Sequence, residues 1–147
     1  MKWEENGWNK LGKGGITVDS AAEESVCPEN WENQFGTKVI EKGKEMKFRN
    51  ASGGQMKHFG AREVTFRAED MEKDKMMGLE FQVSEVKKPL AAVCRIAEKG
   101  NLVQFGPKAE DNFIKNIKTG ERVMLRQKGG SYVMAVEFMQ KTFQRRD

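Results

Sequence analysis

The chain has 147 residues, enough for one domain with a hydrophobic core and too few for two domains of ordinary size. Its 26 basic and 22 acidic residues nearly balance and are scattered, which argues against direct nucleic-acid binding, because a phosphate-binding surface needs a concentrated basic patch. No apolar run reaches the roughly 18 residues of a membrane-spanning helix, and the polar N-terminus does not resemble a secretion signal.

The first residues lead into a strand that ends on an acid. Residues 1–15 are polar and glycine-rich, and we expect a flexible lead-in there. The β-formers Ile16, Thr17 and Val18 then predict a strand that ends at Asp19. After the small residues of DSAA, the segment CPENWENQFG predicts a short helical turn or an anchored loop.

The middle of the chain alternates polar and apolar residues, as half-buried strands do. A flexible Ser52-Gly53-Gly54 tip between extended arms predicts a hairpin. The segments predicted as strands are 37–41, 45–50, 62–70 and 76–86, the last two forming a longer hairpin. The sequence therefore favours a mainly β fold.

The pattern changes to helical spacing at Pro89. Apolar residues recur from Leu90 to Ala97 and Gly100 suits a helix end, so one short helix is predicted near residues 89–99. Beyond it the strand pattern resumes as a β extension from about residue 101, with a hairpin turning at 118–120. We expect one domain over residues 16–138 and a frayed basic tail over 139–147.

The cysteines and the single histidine offer little for metal or nucleophilic chemistry. Cys27 and Cys94 are interpreted as buried free thiols rather than as a disulfide, since no CxxC pair accompanies them. His58 is interpreted as a surface strand residue rather than as a catalyst. A zinc site has too few candidate ligands, so neither a metal nor another cofactor is expected.

Asp19 has the most distinctive neighbours of any carboxylate in the chain. An Asp after a strand is commonly a cap or turn residue, but here Ser20, two alanines and then Ser25-Val26 follow it. This order resembles the signature of the retropepsin-like aspartic peptidases: apolar residues, Asp, Thr or Ser, Gly, Ala, two variable residues, Ser or Thr, and an apolar residue. The resemblance implies a retropepsin-like closed barrel or sandwich of β-hairpins and an aspartic endopeptidase activity.

The chemistry of such a site needs two carboxylates. Because two of them about 3 Å apart cannot both ionise, they share one proton; one then acts as general base on a water while the other polarises the scissile carbonyl. This chain has one copy of the motif. The resemblance therefore implies a homodimer in which each copy supplies Asp19 and the partner is a polypeptide substrate.

The resemblance extends beyond the motif. The stretches FQVSEVKKPLAAVCRIAEKGNLVQF and TGERVMLRQKGGSYVMAV are similar to the protease region of copia-type retrotransposon polyproteins, in particular those of protist-type elements. The function so implied is cleavage of such a polyprotein. The implied location is intracellular, in the cytoplasm or within a retroelement particle, without a membrane partner.

Site roles follow from the resemblance position by position. Asp19 takes the catalytic acid, Ser20 the hydroxyl that locks one turn onto its partner, and Ala22 the small residue that ends the turn. The flap over the substrate falls at Ser52–Gly54 or near Phe59 and Gly60. The helix near 89–99 supports the site from below.

Ala21 departs from the family, which has glycine at this position. If φ were positive there, alanine would cost about 1 kcal/mol or more, and its methyl group could also obstruct the second turn. Two functions therefore remain open: a working peptidase, or a catalytically dead β-rich dimer that binds peptide or nucleic acid.

Overall fold

The computed structural model describes residues 7–50, 52–71 and 75–141. Strands dominate this part of the chain, so the mainly β prediction is confirmed, and its one α-helix is α1 (Val93–Glu98). The strands are β1 (Trp8–Asp19), β2 (Val26–Pro28), β3 (Phe48–Arg49), β4 (Gln55–Met56), β5 (His58–Ala68), β6 (Met76–Ser84), β7 (Leu90–Ala92), β8 (Asn101–Gln104), β9 (Phe113–Asn116), β10 (Arg122–Met124), β11 (Arg126–Lys128) and β12 (Ser131–Lys141). Short 3-10 helices lie at Asn33–Phe35 and Ala109–Asp111. Within the described ranges, no helix has the length and apolar character needed to cross a membrane.

The largest sheet closes on itself. Its strands follow the order β1-β7-β2-β6-β5-β12-β11, and β1 also pairs with β12, from Trp8 opposite Lys141 to Val18 opposite Tyr132. β1, β7, β2, β6, β5 and β12 therefore form a continuous hydrogen-bonded ring. β5 and β6 make the long antiparallel hairpin that the alternating sequence predicts.

β7 enters the ring between two strands that are consecutive in the sequence. It pairs in parallel with β1, Asp19 lying opposite Ala92, and antiparallel with β2. The helix predicted near 89–99 follows at once but begins only at Val93. Residues 90–92 form a strand instead, because their backbone groups complete the hydrogen bonds of β1 and β2.

The core fills the inside of the ring. Alternate residues of its long strands are buried there: Ile16, Val18, Val64, Phe66, Phe81, Val83, Met134, Val136 and Phe138. Trp31 packs edge-on against Phe81 and Phe138, with ring centroids 5.1 and 5.5 Å away. Removal of this apolar surface from water is the main term that favours folding.

β1 begins earlier than the sequence predicts. Residues 8–15 of the expected lead-in pair with β12, and Met139–Lys141 of the expected tail belong to that strand. A Cβ on Gly14 would lie 2.8 Å from the Phe138 ring, so glycine here permits close packing in a strand rather than a turn. The rest of the lead-in, residues 1–6, and of the tail, residues 142–147, lies outside the described residues.

Residues 37–50 form less strand than predicted. Lys38 makes a single bridge to Ala61, and strand structure returns only at Phe48–Arg49. The intervening residues 41–47 are exposed. Water can therefore satisfy the backbone groups that a neighbouring strand would otherwise bind.

Arg62 organises the segment that follows β2, which the sequence predicts as a short helical turn or an anchored loop and which contains the 3-10 helix Asn33–Phe35. Its side chain is buried. It donates hydrogen bonds to the backbone carbonyls of Pro28, Glu29, Trp31 and Gly36 and to the hydroxyl of Thr37. These acceptors compensate the guanidinium for the water it has lost.

A second, three-stranded sheet follows α1 in the order β10-β9-β8. β9 and β10 form the predicted hairpin, in which the Gly120 N–H donates to the Asn116 carbonyl at 2.8 Å. A bridge between Val123 and Met71 connects this sheet to the segment that follows β5.

Both cysteines are free, as predicted, but only one is buried. Burial raises the pKa of the Cys27 thiol to about 11. Cys94 was expected to be buried and is exposed at the start of α1, where its thiol donates to the carbonyls of Ala22 and Glu23. The helical spacing around Cys94 pointed to the core, but its face of α1 meets the turn after β1.

Candidate functional site

The turn after β1 holds the Asp19 carboxylate. The Ala21 N–H donates to Asp19 Oδ1 at 2.9 Å, which is the local hydrogen bond of an Asx turn. Asp19 is half-buried, so its carboxylate is fixed by the backbone and still reachable from solvent. A turn role and a functional role are therefore compatible at this residue.

Ala21 fits this turn without backbone strain. Glu32 is the one non-glycine residue with positive φ in the described part of the chain, so Ala21 has a φ that any L-residue adopts. The condition under which alanine would be strained at this position, a positive φ, is therefore not met. Its side chain is exposed at the edge of the groove described below.

Ser25 ties the end of the turn to the strand beside it. Its buried hydroxyl accepts a hydrogen bond from the Ala92 N–H at 3.0 Å, at the junction of β7 and α1. The Ser25 carbonyl accepts from the Gln82 N–H at 2.8 Å in β6. Two neighbouring strands thus fix the exit of the turn.

α1 holds the same turn from another side. Arg95 Nε donates to the Glu23 carbonyl at 3.1 Å, and the guanidinium also pairs with the Glu24 and Glu98 carboxylates. Hydrogen bonds to Glu98 and then to Glu24 raise the pKa of Arg95. The expected support of the turn by this helix therefore comes from its first turn, through Cys94 and Arg95.

A groove of about 600 Å³ opens beside Asp19. The turn after β1 forms one side of it, and the β3–β4 hairpin supplies another part. The lining residues are Asp19, Ala21, Ala22, Glu23, Glu24, Val26, Met46, Lys47, Phe48, Arg49, Met56, Val86 and Leu90. The groove thus combines apolar side chains with charges of both signs, and its carboxylates are those of Asp19, Glu23 and Glu24.

The hairpin beside the groove has the predicted tip. β3 and β4 pair Phe48 with Met56, and Asn50 Oδ1 accepts the N–H groups of Ser52 and Gly54 at 3.0 and 2.8 Å. Gly53 has a φ of 84°, which glycine adopts without cost. Ser52–Gly54 therefore lie at an exposed hairpin tip.

His58 connects the base of this hairpin to the closed sheet. Its Nδ1 accepts the Met46 N–H at 2.9 Å, so Nε2 carries the proton and donates to Gln82 Oε1 at 2.8 Å and to the Gly60 carbonyl at 3.1 Å. The Phe48 ring packs edge-on against it at 5.5 Å. Both ring nitrogens are engaged in hydrogen bonds within the fold. His58 lies on a strand, as predicted, but it is half-buried and not at the surface.

Phe59 and Gly60, the other candidates for the flap, do not lie at a hairpin tip. Both belong to β5, and Phe59 packs against the core. A Cβ on Gly60 would lie 2.3 Å from the Lys38 carbonyl oxygen, so glycine here allows two backbones to approach.

Ser20 lines a different depression from the groove. Asp19 also lines this depression, together with Lys88, Phe105 and Tyr132. The Ser20 side chain is exposed, and none of the hydrogen bonds formed within the described residues involves its hydroxyl. The hydroxyl is therefore available to a group outside this chain.

Other aspartates have roles elsewhere. Asp70 binds Arg126 through both oxygens, at 2.7 and 3.0 Å, and Asp111 accepts the Lys108 N–H at 3.0 Å. Asp74 and Asp147 lie outside the described residues. Of the aspartates that are described, only Asp19 lines the groove.

The sequence interpretation missed two residues that organise this site. Arg95 gave no signal, since an arginine on a short helix is usually a solvated surface residue, and its contact with Glu24 joins residues far apart in the chain. The role of His58 likewise depends on the path of residues 41–47, which no local pattern specifies.

No known protein family, curated protein or solved structure matches this chain.

Proposed function

We propose that this protein is an aspartic endopeptidase that works as a homodimer, with Asp19 from each copy forming the catalytic pair. Its substrate is an extended polypeptide bound in the groove. We further propose that the substrate is a retrotransposon polyprotein, on the strength of the sequence resemblance.

The groove beside Asp19 is the observation that carries this proposal. It has a fixed, partly exposed carboxylate on one side and an exposed glycine-containing hairpin close by. A backbone-fixed acid next to a groove supplies one half of the catalytic pair in a defined position, and such positioning contributes much of the rate.

The mechanism requires a second carboxylate, and the second copy supplies it. With one proton shared between the two Asp19 side chains, the ionised one removes a proton from water, and the resulting hydroxide attacks the scissile carbonyl. The protonated one donates to the carbonyl oxygen. Breakdown of the tetrahedral intermediate then passes a proton to the leaving amine.

The test combines sedimentation with cleavage of a diverse peptide library, read by mass spectrometry. We expect a dimer and internal cleavage by the parent protein, and no cleavage by Asp19→Asn, whose amide cannot act as a base. Glu63→Gln is the matched control, because Glu63 is an exposed carboxylate on β5 away from the groove.

Equal cleavage by Asp19→Asn and the parent would overturn the proposal. A dimer that binds peptides without cleaving them would instead support the inactive, peptide-binding descendant.

A further inference from the structure

Within the described part of the chain, one hydrogen bond joins residues 39–47 to the rest of the fold. The segment lies between the bridge that pairs Lys38 with Ala61 and the strand β3. Its Met46 N–H donates to His58 Nδ1 at 2.9 Å, and the other hydrogen bond that these residues make stays within the segment. The polar anchoring of the segment therefore rests on one side chain.

The β3–β4 hairpin, which follows this segment, also meets His58. The hydrogen bonds that its described residues make run among residues 48–56 themselves. The Phe48 ring packs edge-on against the His58 ring, with centroids 5.5 Å apart. Met46 and Phe48 both line the groove beside Asp19. His58 thus holds two groups that belong to the wall of the groove.

The contact with Met46 requires the neutral His58 ring. Nδ1 accepts a hydrogen bond only while it carries no proton, because an imidazolium has a donor at each ring nitrogen and no acceptor. Protonation would set a ring N–H against the Met46 N–H, and this exposed amide would bond to water instead. Nε2 keeps its acceptors, Gln82 Oε1 and the Gly60 carbonyl, in either state. The ring therefore stays in place while Met46 is released.

The charged groups beside His58 do not pair with its ring. The chain on either side of it, on β6 and its exit, and next to Met46 and Phe48 carries Lys57, Glu80, Glu85, Glu45, Lys47 and Arg49. Glu85 accepts the Lys57 N–H at 2.6 Å, and Glu80 accepts the Gln82 side chain at 3.3 Å. Among the described residues, none of these carboxylates forms an ion pair or hydrogen bond with His58. An imidazolium would gain no partner that offsets the loss of Met46.

We infer that His58 is a pH-dependent clamp on the groove: its neutral ring holds residues 39–47 and the β3–β4 hairpin against the closed sheet, and protonation releases them. Histidine is the side chain that ordinarily changes charge between about pH 5 and 8, and this chain has one. The clamp is therefore closed at neutral pH and opens as the pH falls. Opening concerns the groove whatever occupies it, and only easier entry of a polypeptide in acid rests on the proposed function.

Backbone amide relaxation, measured by NMR on the whole chain at about pH 7.5 and about pH 5, tests the clamp. Order parameters of residues 39–47 should fall from about 0.8 to below about 0.6, while those of β5 and β6 stay near 0.85. In a titration between these two values, the midpoint of the change should coincide with that of the His58 ring signals. No second histidine can contribute to it.

His58→Phe keeps a ring but removes the acceptor, so residues 39–47 should be mobile at both pH values. Lys57→Gln is the matched control, since it changes an exposed charge beside His58 and should keep the pH response of the parent.

The inference is overturned if residues 39–47 of the parent have equal order parameters at both pH values, or if the change follows a midpoint other than that of His58. It is also overturned if β5 and β6 lose order together with the segment, or if the segment in folded His58→Phe is as ordered as in the parent at neutral pH. These measurements need no peptidase activity, so they stand whether or not Asp19 proves catalytic.

Discussion

At the scale of single residues, the two serines of the turn after β1 have opposite environments. Ser25 is buried and accepts the Ala92 N–H, whereas Ser20 is exposed. The family resemblance assigned the locking hydroxyl to Ser20, a bond that needs a second copy. Within one chain, Ser25 is the serine whose hydroxyl fixes the turn.

Ser25→Ala is expected to lower the free energy of unfolding by about 1–3 kcal/mol, because it leaves the buried Ala92 N–H without an acceptor. Ser20→Ala is the matched control and should change stability by less than about 0.5 kcal/mol. Urea unfolding of each variant as a monomer measures both values. Equal losses of unfolding free energy in the two variants would show that the Ser25 hydrogen bond does not stabilise the fold.

Ala21→Gly tests whether this position is strained. Since Ala21 does not have a positive φ, glycine gains nothing there and adds freedom to the unfolded chain. The free energy of unfolding should fall by about 0.5–1 kcal/mol in the same urea experiment. A rise in stability would show that alanine is strained in this turn.

The thiols should differ in reactivity. Cys94 is exposed, whereas Cys27 is buried and its pKa is raised to about 11. At pH 8 the Cys27 thiol is therefore both inaccessible and protonated. A thiol reagent should modify one cysteine rapidly and the second only after denaturation. Peptide mapping identifies which is which, and rapid modification of Cys27 in the folded protein would contradict its burial.

At the scale of elements, the turn after β1 is held by β7, β6 and α1 together. β7 contributes the Ala92 N–H, β6 the Gln82 N–H and α1 the Arg95 side chain. The interpretation of residues 89–92 as helix missed the first of these contacts. Pro89 suits a helix start as well as a strand start, and only pairing with β1 decides between them.

Arg95→Gln should loosen the turn without unfolding the protein, because Arg95 is partly exposed and contacts the turn rather than the core. Amide hydrogen exchange at residues 20–24 should accelerate about five-fold or more, while exchange in β5 and β6 stays unchanged. Lys99→Gln removes a positive charge at the end of the same helix and serves as the control. Unchanged exchange in the turn would show that Arg95 does not hold it.

At the scale of the whole molecule, the sequence predicted what local patterns encode. The alternation in β5 and β6 and the glycine-containing tip near Gly53 reflect local chemistry, and both are present. The strand character of residues 8–15 was missed, because Gly14, one of the glycines that suggested a turn, is needed where Phe138 packs on the backbone. Arg62 and Arg95 were missed because their partners are distant in sequence. Asp19 and its turn were predictable because the motif is contiguous.

The central claim, that two copies of Asp19 form one site, is tested most directly by mixing the parent protein with Asp19→Asn. At concentrations where sedimentation shows full dimerisation, an equal amount of the variant should reduce total cleavage to about half that of the parent alone. After addition of an equal amount of variant and random exchange of subunits, the mixture contains twice as many dimers as the parent sample. Only about a quarter of these dimers carry Asp19 in both copies. The account predicts this halving, and an unchanged cleavage rate after equilibration would contradict it.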